Sequence, residues 1–408
     1  MPTRMRGESV AVGATAASTS EGTLSATPMT LLLACAGLAL FAQSPTTAAR
    51  PVPAAARDVT ELIRPIAAKS GIPALGAAIV TSDGLEALGA FGLRSSAAAT
   101  PVTAGDQWHI GSCTKTLTAT LAARLVERGK IQFETTVGEV FGPRLADMDK
   151  HWSGVSLELL LCHRSGAELN FDEAIWERTV LGGAAPREQR RLLVEDALRR
   201  APHSKPDTAT TYSNAGYMIA GAMLEQRADA AWEDLIRTEV LVPLGMTRTA
   251  CGAPGTPERL DQPLGHVRAE SGWSPIALGP GADNPAATGP AGALHTTLGD
   301  WSRFAAAHLA GARGEASFLT SASWKRLHAP RSAEWEYAPG WVVGEAKWAG
   351  GKLLRHMGSN GFWIAEASLS LERNVAILLV TNVSDDAVEA PFRELLEALI
   401  ADHAAHAK

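Results

Sequence analysis

The chain has 408 residues, 46% of them hydrophobic and 20% charged, and a net charge of −6 at neutral pH. That balance is typical of a globular protein large enough to bury a core without disulfide or metal staples. No run of Lys and Arg appears, which excludes a surface built to coat nucleic acid.

The first fifty residues do not read as part of a fold. Residues 7–28 are low in complexity, and Leu31–Ala42 is an unbroken apolar run, too short to span a bilayer, which takes about 20 residues. Small residues follow as far as Ala48-Ala49, an exit of the kind signal peptidases cut. Residues 1–49 are therefore expected to be a targeting segment. The mature chain is then secreted or periplasmic, with no membrane span. A disordered tail is the competing reading, because the early charges Arg4 and Arg6 lie far upstream of the apolar run. Leu32-Leu33-Ala34-Cys35 looks like a lipid-attachment box, but the apolar run continues past the cysteine.

Asp58–Lys69 is predicted helical, with Val59, Leu62, Ile63 and Ile66 on one face and Gly71 after its end. Ala74–Val80 and Leu85–Leu93 read as a hairpin turning at Ser82-Asp83-Gly84. Leu117, Leu121 and Leu125 recur at the helical interval, and Gly129 closes that helix. Residues 191–200, 215–228 and 298–309 are also expected to be helical. Strands return at Gly340–Gly344, Leu353–His356, Phe362–Leu369 and Val375–Thr381, and Leu371-Glu372-Arg373-Asn374 supplies the last turn. A final helix is expected over Val388–Ala401. Strands at both ends with helices between them imply an α+β fold whose sheet joins distant segments. The sheet part spans about 56–111 and 335–404, and the helical part about 112–334.

Of the four cysteines, Cys35 lies in the targeting segment, leaving Cys113, Cys162 and Cys251. No Cys/His spacing suggests zinc, and no cofactor or metal is expected. A Cys162–Cys251 bridge is conceivable in an oxidising compartment, but three buried, small apolar side chains are the preferred reading.

Chemistry concentrates in three places. Ser112 and Lys115 form the single S-x-x-K of the chain. At a helix start, the Ser112 N–H and the helix dipole point to where an oxyanion would form. Lys115 then sits one turn on, about 5–6 Å away between Cβ atoms, and burial would lower its pKa enough to accept the serine proton. A plain helix-capping serine is the competing reading. The second place is Tyr212-Ser213-Asn214, informative because the chain has only three tyrosines. The third is His356-Met357-Gly358-Ser359, after a predicted strand, where glycine permits close backbone approach.

In this order the three motifs resemble those of the serine β-lactamase and penicillin-binding protein superfamily, most closely its class C branch. Other stretches look like the same family: Val155–Leu160 leading to His163-Arg164-Ser165-Gly166, Val242-Pro243-Leu244-Gly245-Met246, and Gly289-Pro290-Ala291-Gly292. The likeness covers about residues 56–400. It implies an antiparallel sheet flanked by the terminal helices, with a large helical insert and a groove between the two. It also implies Ser112 as nucleophile, Lys115 and Tyr212 as proton carriers, and Asn214, His356, Gly358 and Ser359 as the substrate-binding and oxyanion group. His163 is structural in that family. The expected activity is serine hydrolysis through an acyl-enzyme, on a small-molecule ester, peptide or β-lactam. D,D-peptidase, D-aminopeptidase and true β-lactamase are alternatives, and a non-turnover β-lactam sensor or structural protein is the rival from another class. His356 stands where many β-lactamases carry a lysine that anchors the drug's carboxylate, so poor β-lactam hydrolysis is expected. Strand alternation turns Arg355 to the opposite face.

Overall fold

A computed structural model describes residues 56–406 except 182, 280, 316–317 and 333. The targeting segment expected over 1–49 lies outside the described residues. Ala74–Thr81 and Val375–Thr381 read as near-continuous apolar runs rather than alternating ones, because helices cover both their faces and bury almost every residue. They pair antiparallel across some 300 residues of chain, with Ala78 opposite Leu378, and this pairing joins the N-terminal hairpin to the C-terminal strands. The eight-stranded sheet runs in the order Arg57–Asp58, Gly84–Gly92, Ala74–Thr81, Val375–Thr381, Ile364–Ser370, Gly351–Ser359, Trp341–Ala346, Tyr337–Ala338. All its pairings are antiparallel except that of the two-residue edge strand Arg57–Asp58.

The terminal helices Thr60–Ser70 and Glu389–His406 pack on one face, where Ile63, Phe392 and Leu395 meet Ile377 and Leu379. The other face carries the larger core, including Trp108, Leu117, Leu121, Leu298 and Trp301. Three helices dominate that side: Thr114–Glu127, Asn214–Ala228 and Leu298–Ala312.

Thr114–Glu127 was expected to bury a leucine stripe, but it is buried nearly all round. Its threonines make this possible by bonding to backbone carbonyls: Thr116 to Cys113 at 2.7 Å, Thr118 to Pro290 at 2.7 Å, and Thr120 to Thr116 at 2.9 Å. A lysine on such a helix is shielded from bulk water, and Lys115 is fully buried.

Several short elements differ from expectation. Gln107–His109, Leu294–Thr297 and Ala250–Cys251 form a second, three-stranded sheet, and the helix expected over 191–200 starts earlier, at Pro186, and ends at Leu198. Cys113 and Cys162 are buried as expected, but Cys251 is exposed on its short strand, and all three thiols are free, so there is no Cys162–Cys251 bridge. Among the described residues no helix is long and apolar enough to cross a membrane.

Candidate active site

Strand Gln107–His109 delivers the chain through a tight turn at Gly111–Cys113 into the central helix, leaving Ser112 half-buried at its start. Gly111 has φ +48°, and a Cβ there would lie 2.4 Å from the Ser359 nitrogen. Facing it, a Cβ on Gly358 would lie 2.1 Å from the Ile110 carbonyl oxygen and 2.6 Å from the Ser112 nitrogen. The two glycines therefore let the nucleophile turn and the strand Gly351–Ser359 meet backbone to backbone.

Lys115 Nζ lies 3.0 Å from Ser112 Oγ, 2.8 Å from Asn214 Oδ1 and 2.7 Å from the Ala291 carbonyl oxygen. The last two atoms can only accept, so each takes an N–H. A neutral amine has two hydrogens, so in that form its lone pair would face the serine hydroxyl, whereas the ammonium would donate to all three. Burial lowers the Lys115 pKa to about 7, in line with that neutral form.

Ser213 caps the helix Asn214–Ala228, its hydroxyl accepting from the Gly216 N–H at 2.8 Å. His163 grips the same turn from behind. Its carbonyl accepts the Thr211 N–H at 2.8 Å, its Nδ1 accepts the Ser213 N–H at 3.1 Å, and its ring lies 4.4 Å from that of Tyr212. Asn214 donates through Nδ2 to Asn170 at 2.9 Å, which turns its oxygen to Lys115. Tyr212 keeps 39% of its surface exposed, yet its phenol is partly desolvated. This burial raises the phenol above its ordinary value, opposed by the neighbouring Ser112 hydroxyl, so Tyr212 is a neutral phenol at neutral pH.

The structure places His356 differently from expectation. The residue is buried, with Nδ1 2.8 Å from the Met357 carbonyl oxygen and Nε2 2.7 Å from the Tyr337 hydroxyl. A carbonyl only accepts, so Nδ1 carries the proton and Tyr337 donates to Nε2. Burial, together with the nearby Lys115, pushes the imidazole down to about 3. His356 thus stands neutral behind the groove wall rather than in it. Strand alternation does send Arg355 to the other face, where it bonds both carboxylate oxygens of Glu366 at 2.8 and 2.7 Å.

Sequence reasoning missed two supporting groups. All three tyrosines of the chain gather around one imidazole: the rings of Tyr212, Tyr217 and Tyr337 lie 4.4, 5.2 and 4.5 Å from that of His163. The scarcity of tyrosine in the sequence is the signal that marks them. The other group is His109, whose Nδ1 accepts the Gly111 N–H at 3.0 Å while Nε2 lies 2.9 Å from Asp283 Oδ1. Asp283 also accepts from Asn360 Nδ2 at 2.9 Å, so one carboxylate ties the nucleophile turn to the end of the strand that carries Ser359. The cleft they frame has a volume of about 490 Å³, and Ser112, Asn214, Ala291 and Ser359 line it.

A family model described as Beta-lactamase matches residues 59–402. Penicillin-binding protein 4 of Amycolatopsis lactamdurans is 27% identical over 339 residues, covering 80% of this chain and 86% of its own length. The D-amino acid amidase of Ochrobactrum anthropi SV3 superposes with a TM-score of 0.65 at 20% identity, over 84% of this chain and 98% of that one. D-alanine carboxypeptidase AmpC of Burkholderia cenocepacia superposes with a TM-score of 0.64 at 21% identity, over 83% and 97%. At these identities the structural likenesses speak to the fold alone.

Proposed function

The chain belongs to the Beta-lactamase family of serine hydrolases, and from that premise we propose that it cleaves esters or peptide bonds through an acyl-enzyme on Ser112. The observation that carries this reading is the Lys115 amine, 3.0 Å from Ser112 Oγ, with both its N–H groups taken by other acceptors. Ser112 Oγ attacks the substrate carbonyl carbon and its proton passes to the Lys115 lone pair. The Ser112 and Ser359 N–H groups hold the oxyanion, with Gly358 allowing their approach. Tyr212, a neutral phenol beside Ser112, relays the proton to the leaving group as the carbonyl re-forms. Water, activated by the same pair, then releases the acid. Asn214 fixes Lys115 and borders the substrate.

Esters and uncharged peptides fit this groove better than penicillins do. A penicillin's carboxylate needs a cation beside the scissile bond, whereas His356 is neutral and buried and Arg355 is bound to Glu366 on the far face. A penicillin-binding protein is among the relatives and a D-amino acid amidase shares the fold, which keeps D-amino-acid amides and peptides within the proposed substrate class. Export is part of the proposal and rests on the apolar run Leu31–Ala42.

Purified protein mixed with a neutral chromogenic ester should turn over steadily, and benzylpenicillin should be cleaved at least about tenfold less efficiently in kcat/KM, the worth of one lost charge-assisted contact. A single burst equal to the enzyme concentration would assign the chain to the non-turnover sensors instead. Efficient penicillin hydrolysis would overturn the reading of the groove.

A further inference from the structure

Among the described residues lining the cleft beside Ser112, only Glu173 carries a formal charge. It opens the helix Glu173–Leu181, is exposed, and among the described residues its carboxylate has no hydrogen-bond or ion-pair partner. Trp176 lines the same cleft. Three residues apart, the two side chains share one face of the helix. A free carboxylate next to an indole is the donor set that recognises organic cations, the first by Coulomb attraction and the second through the face of its ring. Among the described residues no lining side chain supplies an opposing positive charge, and Lys115 behind the wall is neutral when it serves as base.

We infer that Glu173 and Trp176 form a cation subsite, and that the preferred substrate is an ester or amide carrying a protonated or quaternary amine. This rests on the acyl-enzyme reading above and adds to it the charge of the substrate. Substrates bearing a carboxylate are then disfavoured twice, by the missing cation and by Glu173.

Two isosteric pairs test it, with a quaternary nitrogen or a quaternary carbon in the same position so that charge alone differs and does not vary with pH. One pair is choline acetate against 3,3-dimethylbutyl acetate. The other is the 4-nitrophenyl ester of trimethylglycine against that of 3,3-dimethylbutanoic acid. Comparing kcat/KM ratios between the native enzyme and Glu173→Gln cancels intrinsic reactivity. The expected result is a preference for the cation about fivefold larger in the native enzyme in at least one pair, the size of a partly exposed ion pair. That preference should shrink as salt rises from about 0.05 to 0.5 M, as screening shortens the reach of the charge. Glu173→Lys should reverse it, and Trp176→Leu should reduce it. Equal ratios in the native enzyme and Glu173→Gln in both pairs would overturn the inference. Absence of turnover on both neutral esters would overturn the hydrolase reading itself, and the cation subsite with it.

Discussion

Replacing Lys115 by arginine should cost as much activity as replacing it by alanine, about 1,000-fold or more in kcat/KM, within the range for a lost general base. Arginine keeps the positive charge but cannot release its proton, so it has no lone pair to offer Ser112 Oγ. The same argument fixes the sign of the pH dependence. Protonated Lys115 would carry a third N–H where the lone pair now faces the serine, so the cationic form is inactive. Because burial sets its pKa at about 7, kcat/KM for a neutral ester should fall about tenfold per pH unit below 7 and level off above it. A flat profile between pH 5 and 9, or an arginine variant close to native activity, would reduce Lys115 to a fixed cation.

Gly358→Ala should be nearly as damaging by a different route. The added Cβ would meet the Ile110 carbonyl oxygen at 2.1 Å and the Ser112 nitrogen at 2.6 Å, both backbone atoms that no rotamer change can move. The nucleophile turn and the strand must then separate, which moves apart the Ser112 and Ser359 N–H groups proposed as oxyanion donors. Loss of one oxyanion donor costs about 100- to 1,000-fold in kcat. Gly344 is a matched control on the neighbouring strand Trp341–Ala346, since a Cβ there meets nothing within 4 Å. Gly344→Ala should leave kcat within about twofold, the small change usual for open surface positions. If Gly358→Ala did likewise while remaining folded by circular dichroism, the strand would have no part in holding the oxyanion.

The features legible in the sequence are those that depend on local spacing. One helical turn sets Ser112 beside Lys115, and a glycine after a strand marks the close approach at Gly358. Strand alternation separates Arg355 from His356. The central strands were legible too, because a run such as Val375–Thr381 is apolar whichever face is considered. What lies beyond a side chain was not legible. Alternation turned His356 inward, but nothing near it in sequence indicated that Tyr337 would meet it there. The Lys115 amine is held by atoms from residues 112, 214 and 291, a convergence that no single motif contains. The pairing of His109 with Asp283 likewise joins segments more than 170 residues apart. The small second sheet was missed because its strands are two to four residues long and owe their form to tertiary contacts, not to periodicity.

The central claim is that the acyl group resides on Ser112, and fragmentation mass spectrometry of the acylated protein tests it most directly. Brief reaction with an activated ester, followed by acid quench and digestion, should yield one modified peptide whose fragments place the added mass on Ser112. Ser112→Ala should carry none while keeping the native melting temperature to within a few degrees, since only one oxygen is lost. Cys113 is the natural competitor as the adjacent nucleophile, but it is fully buried, and that burial pushes its thiol far above the ordinary value. Added mass on Cys113, or labelling that survives in Ser112→Ala, would contradict the account.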